Sequence, residues 1–165
     1  MNLFWLQASG CGGCTQSLLG ADARRGVLAQ LAAAGIELVA HPALSEASGD
    51  EARALLASAA DGTLPIDILC VEGALLRGPN GSGRFHMLAG TGKPMIEWVR
   101  MLAVQARHVV AVGSCTAFGG INASGDNLTE ACGLQFDGGE PGGLLGADWR
   151  ARGGLPVINV SGCPI

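Results

Sequence analysis

The sequence predicts an α/β fold: a doubly wound parallel sheet with helices over both faces. Three observations carry this reading. Short apolar runs of strand length alternate with longer stretches of helical character. The runs are almost continuously apolar, as in strands buried on both sides. The 27 glycines gather at 10–13, 78–92, 113–125, 138–146 and 153–162, between the runs.

Taken in order, NLFWLQ (2–7) reads as a buried strand, followed by a small-residue turn and a short apolar stretch of helical character. ADARRGVLAQLAAAG (21–35) is a helix closed by Gly35, and IELVAH (36–41) a strand. SGDEARALLASAADG (48–62) is a helix opened by Ser48 or Asp50 as N-cap. IDILCVEG (66–73) is an apolar strand. KPMIEWVRMLAVQARH (93–108) is an amphipathic helix with Pro94 in its first turn, where a missing N–H costs nothing. VVAVG (109–113) and PVINVSG (156–162) are the last two strands. The glycine-rich stretch from 119 to 154 reads as a long loop region, and loops of that length are usually functional or ordered by a partner. GPNGSGRF (78–85) holds a loose G-x-x-G-x-G, but no Gly-Lys-Ser/Thr follows it, so a phosphate-binding loop is discounted.

A chain of 165 residues is expected to be a single domain, long enough to bury its own core. It is 48% hydrophobic and 15% charged, with mean hydropathy +0.36, so its exterior is short of polar cover. That fits either a membrane protein or a soluble subunit covered by a partner. No apolar run reaches the roughly 18–20 residues of a spanning helix, which favours the partner. A net charge of −4 with ten Lys and Arg leaves no basic face for nucleic acid. No secretory signal is visible, and Arg24 and Arg25 lie inside a helical stretch, so the expected location is cytoplasmic. There, six cysteines point to metal or redox chemistry more than to a disulfide framework.

Cys11 and Cys14 follow the first strand, Cys115 follows the fourth, and Cys163 follows the last. In an open α/β sheet the carboxyl ends of the strands share one edge, where ligands bind. Four thiols from three loops would therefore converge into a metal cage. One close pair plus two separated cysteines is nearer to a [4Fe–4S] pattern than to the paired knuckles of structural zinc. A zinc site and a C-x-x-C dithiol at a helix start stay open on spacing alone. Cys70, inside an apolar strand, reads as a buried structural cysteine, and Cys132 as incidental to the loop region.

Around these cysteines, four segments resemble the small subunit of [NiFe] hydrogenases: WLQASGCGGCTQSLL, VEGAL (71–75), AVGSCTAFGGI (111–121) and VINVSGCPI (157–165). They stand in the family's order and run nearly the length of the chain. The resemblance implies a flavodoxin-like fold and a non-catalytic, electron-transferring role in H2 oxidation or proton reduction. It implies one proximal [4Fe–4S] cluster on Cys11, Cys14, Cys115 and Cys163. It also implies a hydrogenase large subunit as partner, carrying the Ni–Fe site, and beyond it an electron acceptor or a signalling partner. The wording of CGGC and WLQASG resembles the regulatory, H2-sensing branch and its relatives more than the periplasmic uptake enzymes. A cluster subunit of a complex I-like or F420-reducing assembly is the neighbouring alternative, although complex I members carry adjacent cysteines where two glycines separate them here. Gly13 and Gly120 stand where some oxygen-tolerant relatives have two further cysteines, so a four-cysteine cubane is expected. The family's medial and distal cluster domain has no counterpart in residues 1–165, which leaves one cluster-bearing domain.

Around the cluster, Ser114, Thr116 and the amides near Gly12, Gly13 and Gly162 are expected either to donate to sulfur or simply to cap turns. Glu72, at a strand end before a glycine, is read as a residue of the subunit interface or a cap on a neighbouring loop. His41, His86 and His108 read as surface or capping residues, and Trp5, Trp98 and Trp149 as core or interface anchors.

Overall fold

The strand and helix order expected from the sequence is present in a computed structural model of the chain, which describes residues 1–21 and 25–163. Residues 22–24 of the expected helix 21–35, Arg24 among them, and the last two residues of the final motif lie outside the described residues. Along the chain the elements are β1 (Asn2–Gln7), α1 (Gly13–Gly20), α2 (Val27–Ala33), β2 (Glu37–Ala40), α3 (Gly49–Ala60), β3 (Ile68–Glu72), β4 (Leu75–Leu76) and α4 (Met95–Gln105). There follow β5 (His108–Val112), α5 (Ser114–Phe118), a 3-10 turn (Gly120–Ala123), β6 (Ala131–Cys132), β7 (Phe136–Asp137), β8 (Glu140–Pro141) and β9 (Ile158–Val160).

Five strands form one parallel sheet in the order β2-β1-β3-β5-β9. Counting only these strands, the order is 2-1-3-4-5, the flavodoxin-like winding, with its reversal between β1 and β3. The period-2 alternation of side chains splits the core into two layers. Phe4 and Leu6 of β1, Leu69 and Val71 of β3, and Val109 and Ala111 of β5 pack with Trp98, Val99 and Leu102 of α4 and Ala59 of α3. Leu3, Trp5 and Cys70 face the other way, against Leu18 of α1 and Leu31 of α2. Burial pushes the Cys70 thiol up to about 12, as expected of an inert core cysteine. Cover thins toward the last strand: Ile158 and Val160 are 42% and 55% exposed, and their register partners Val110 and Val112 are half-buried. The expectation of helices over both faces thus holds across β1 and β3 but not at β9.

Pro94 stands at the N-cap of α4, one residue before the helix, and Ser48 at the N-cap of α3 makes no side-chain capping bond. The larger departure is the stretch 119–154, which holds substantial structure of its own. It contains the 3-10 turn, β6 paired antiparallel with β4, and the β7–β8 hairpin. At its centre the buried Gln135 side chain donates to the carbonyls of Gly146, Ala147 and Trp149 at 3.1, 3.2 and 2.9 Å and accepts the Val157 N–H at 2.6 Å. One amide thereby replaces the backbone pairing that a regular element would supply. Cys132 is no incidental loop residue. It is fully buried on β6, with its Sγ 3.7 Å from the Leu75 carbonyl.

Candidate metal centre

The four cysteines singled out by spacing all lie beyond the carboxyl ends of sheet strands. Cys11 is on the loop after β1, Cys14 in the first turn of α1, Cys115 in α5 directly after β5, and Cys163 just past β9. All four are free thiols; Cys14 and Cys115 are half-buried, and Cys11 and Cys163 exposed. Burial, then the Glu72 carboxylate, then Cys115, Cys11 and Cys163 push the Cys14 thiol up to about 11. Burial likewise raises Cys115, with smaller contributions from Cys11, Cys163 and Glu72, while the Ile121 amide pulls the other way. Thiolates in this neighbourhood repel one another, so holding them deprotonated calls for positive charge among them, which a metal centre supplies.

Short ties fix the three loops to each other. The Ser114 N–H donates to the Gly162 carbonyl at 2.8 Å, and the Gly162 N–H returns to Ser114 Oγ at 3.2 Å, joining the Cys115 and Cys163 loops. The buried Thr116 hydroxyl donates to the Gly73 carbonyl at 2.7 Å, joining α5 to the end of β3. Neither residue caps its own helix; each bonds a neighbouring loop. Asn122 Nδ2 reaches both the carbonyl and the hydroxyl of Ser9 at 3.1 Å, tying the 3-10 turn to the Cys11 loop. Sulfur itself receives amides. The Gly13 N–H approaches Cys11 Sγ at 3.4 Å, and the Ile121 N–H bonds Cys115. The Gly13 contact was anticipated. Ile121 and Asn122 carried no signal in the sequence.

Two glycines shape the pocket. A Cβ on Gly113 would fall 2.4 Å from Cys14 Sγ, and one on Gly120 2.6 Å from Cys115 Sγ. Both have positive φ, at 88° and 56°. Each sulfur sits where a side chain would otherwise be, and Cys14 and Gly113 line a cavity of about 210 Å³ together with Ser17, Val112, Val160, Ser161 and Gly162.

Glu72 is only 2% exposed, so it is not a residue of an open interface. It caps the cysteine helix from a neighbouring strand. Its Oε1 accepts the N–H groups of Cys14 and Thr15 at 3.1 and 3.2 Å, in the first turn of α1, which has no cap of its own. A carboxylate there satisfies orphan donors and complements the helix dipole. Its Oε2 accepts the Trp5 indole N–H at 3.1 Å and the Thr15 hydroxyl. His41, read as a surface or capping residue, is 4% exposed, because β2 carries it under α1 beside Trp5 and Thr15. His86 and His108 stay partly exposed; His108 Nδ1 is buried with no partner among the described residues.

The donor set fits an iron–sulfur cluster: four thiols, an amide already aimed at the Cys11 sulfur, and glycines that leave room around two of the sulfurs. Among the described residues, no three His, Cys, Asp or Glu side chains are set to hold a metal ion together. A mononuclear zinc site would need all its sulfurs about 2.3 Å from one point, whereas a cubane spreads its ligands over separate corners.

The profile of the family "NADH ubiquinone oxidoreductase, 20 Kd subunit" matches residues 11–165. The chain is 32% identical over 162 residues to the Hydrogenase-2 small chain of Escherichia coli (strain K12), covering 98% of this chain and 38% of that protein. It is 31% identical over 163 residues to the quinone-reactive Ni/Fe-hydrogenase small chain of Wolinella succinogenes, covering 98% and 40%. Its fold superposes on the actinobacterial-type NiFe-hydrogenase of Ralstonia eutropha H16 with a TM-score of 0.79 at 32% identity, over 100% of this chain and 49% of that one. The chain thus spans 38% to 49% of the length of these relatives.

Proposed function

The chain belongs to the family of the NADH ubiquinone oxidoreductase 20 Kd subunit, and on that premise we propose that it is the electron-transferring small subunit of a [NiFe] hydrogenase. The observation that carries the reading is the convergence of Cys11, Cys14, Cys115 and Cys163 on one sheet edge, in loops tied directly to each other. These four would hold a proximal [4Fe–4S] cluster. When bound, such a cluster supplies a one-electron carrier between the partner's Ni–Fe site and an acceptor.

This chain breaks no H–H bond. Its cysteines bind, and its backbone tunes what they bind: the Gly13 and Ile121 amides lower electron density on Cys11 and Cys115. Glu72 fixes the turn that carries Cys14. Ile121 and Leu128, 81% and 84% exposed, lie on the turn after Cys115 and on the segment that Thr129 bonds back to Asn122 at 3.4 Å. Large apolar side chains left this open beside a redox site suit a large subunit that shuts water out of the edge.

The test is iron and acid-labile sulfide on protein purified without air, for the wild type and for Cys115→Ser. About four of each per wild-type chain, falling in the variant, is the result expected for a cubane. Stoichiometric zinc, or an iron content indifferent to Cys115, overturns the reading.

A further inference from the structure

We propose that His41 is a positioning residue for this centre, acting through Thr15 and Trp5 on the Glu72 carboxylate; the proposal rests on the cluster reading above. Glu72 divides its work between its two oxygens. Oε1 takes the backbone amides of Cys14 and Thr15, while Oε2 takes two side-chain donors, the Thr15 hydroxyl and the Trp5 indole. Both donors rest on His41. Its Nε2 lies 3.3 Å from Thr15 Oγ1, and its ring packs on Trp5 with centroids 5.4 Å apart at 36°.

The tautomer follows from the other ring nitrogen. His41 Nδ1 accepts the Ala43 N–H at 3.0 Å, so in the neutral ring Nε2 carries the proton and donates to Thr15. The Thr15 hydroxyl accepts from His41 and is left to donate to Glu72, which gives the chain His41→Thr15→Glu72 a single direction. Its far end is the amide of Cys14 itself. The turn beyond β2 is held as well: Ser45 Oγ accepts the His41 N–H at 3.1 Å and donates to the His41 carbonyl at 2.7 Å. His41 is thus buried, immobilised and aimed, 26 residues from Thr15 in sequence. Outer partners that orient a ligand typically change metal affinity about ten- to a hundred-fold when removed.

The experiment compares the wild type with His41→Leu, His41→Gln, Thr15→Val and Thr15→Ser in the full protein. One readout needs no iron: the indole N–H resonance of Trp5, assigned by loss in Trp5→Phe. The other two are the rate at which a ferrous chelator strips iron and the midpoint potential of the iron centre. His41→Leu and Thr15→Val are expected to move the indole resonance, raise the stripping rate about ten-fold and shift the potential in a common direction. His41→Gln and Thr15→Ser, which keep a donor at the same place, should stay with the wild type.

A His41→Leu variant with wild-type resonance, stripping rate and potential overturns the proposal. So does a His41→Gln variant that behaves like His41→Leu, because only bulk would then matter. If His41→Leu fails to fold, His41→Phe, which fills the space of the ring without a donor, takes its place. Wild-type protein without iron contradicts the cluster reading, while the indole resonance still tests the His41 link.

Discussion

Gly113 shows how little freedom the cysteine edge allows a single residue. Its φ of 88° is one that L side chains rarely adopt, and a Cβ there would sit 2.4 Å from Cys14 Sγ. Gly113→Ala is therefore expected to lose about 1–3 kcal/mol of stability and much of its iron, measured by denaturant midpoint and metal content. At Glu72 the arithmetic concerns unsatisfied donors. Glu72→Ala leaves the Trp5 indole, the Thr15 hydroxyl and two amides without their acceptor, and buried donors left so cost about 1–3 kcal/mol each before water or relaxation intervenes. A loss of at least about 2 kcal/mol is expected, with Cys14 more reactive to alkylation than in the wild type.

Histidine gives a pH test at the same scale. Burial lowers His41 below its ordinary 6.5, with the Glu72 charge opposing, and burial lowers His86 too. The unfolded chain then takes up protons near 6.5 that the folded chain refuses until lower pH, so stability falls as pH drops through that window. Urea midpoints should decrease from pH 7.5 to 5.5 in the wild type and decrease less in a His41→Gln, His86→Gln double variant. The four cysteine positions were legible in the sequence because thiols announce their chemistry and strand ends announce their edge. His41 was not: nothing local distinguishes it from a surface histidine, and only the placement of β2 beside β1 brings it to Thr15.

Among the elements, α1 and the segment 119–154 teach opposite lessons. Helix α1 is short, poorly amphipathic and without a local cap, and it stands because β3 supplies Glu72. The strands β1, β3 and β5 were readable to within two residues, since a continuous apolar run buried on both faces leaves no other assignment. The segment 119–154 read as loop because its order comes from contacts that no periodicity records. Gln135 bonds three carbonyls and one amide across it, and Gly133 lies so close to α5 that a Cβ would fall 2.1 Å from the Ala117 carbonyl oxygen. Gly133→Ala must push backbone against backbone and is expected to cost about 3 kcal/mol, read as a lower thermal midpoint. Because Ala117 lies two residues beyond Cys115 on α5, the same variant should bind less iron.

Across the whole molecule, the flavodoxin-like sheet turns sequence distance into proximity: its winding delivers residues 11, 14, 115 and 163 to one edge. The apolar excess noticed in the composition has visible outlets at Ile121 and Leu128 beside that edge. Charging the second, as Leu128→Glu, is expected to reduce recovery of a large polypeptide on co-purification while iron per chain stays as in the wild type. No helix among the described residues is long and apolar enough to cross a membrane. Electron paramagnetic resonance of the complex purified without air, before and after exposure to H2, asks whether the centre carries electrons from hydrogen. An iron–sulfur centre that H2 reduces, with nickel present in a co-purifying large chain, is the expected result. An iron–sulfur signal indifferent to H2, or no such signal at all, would contradict it.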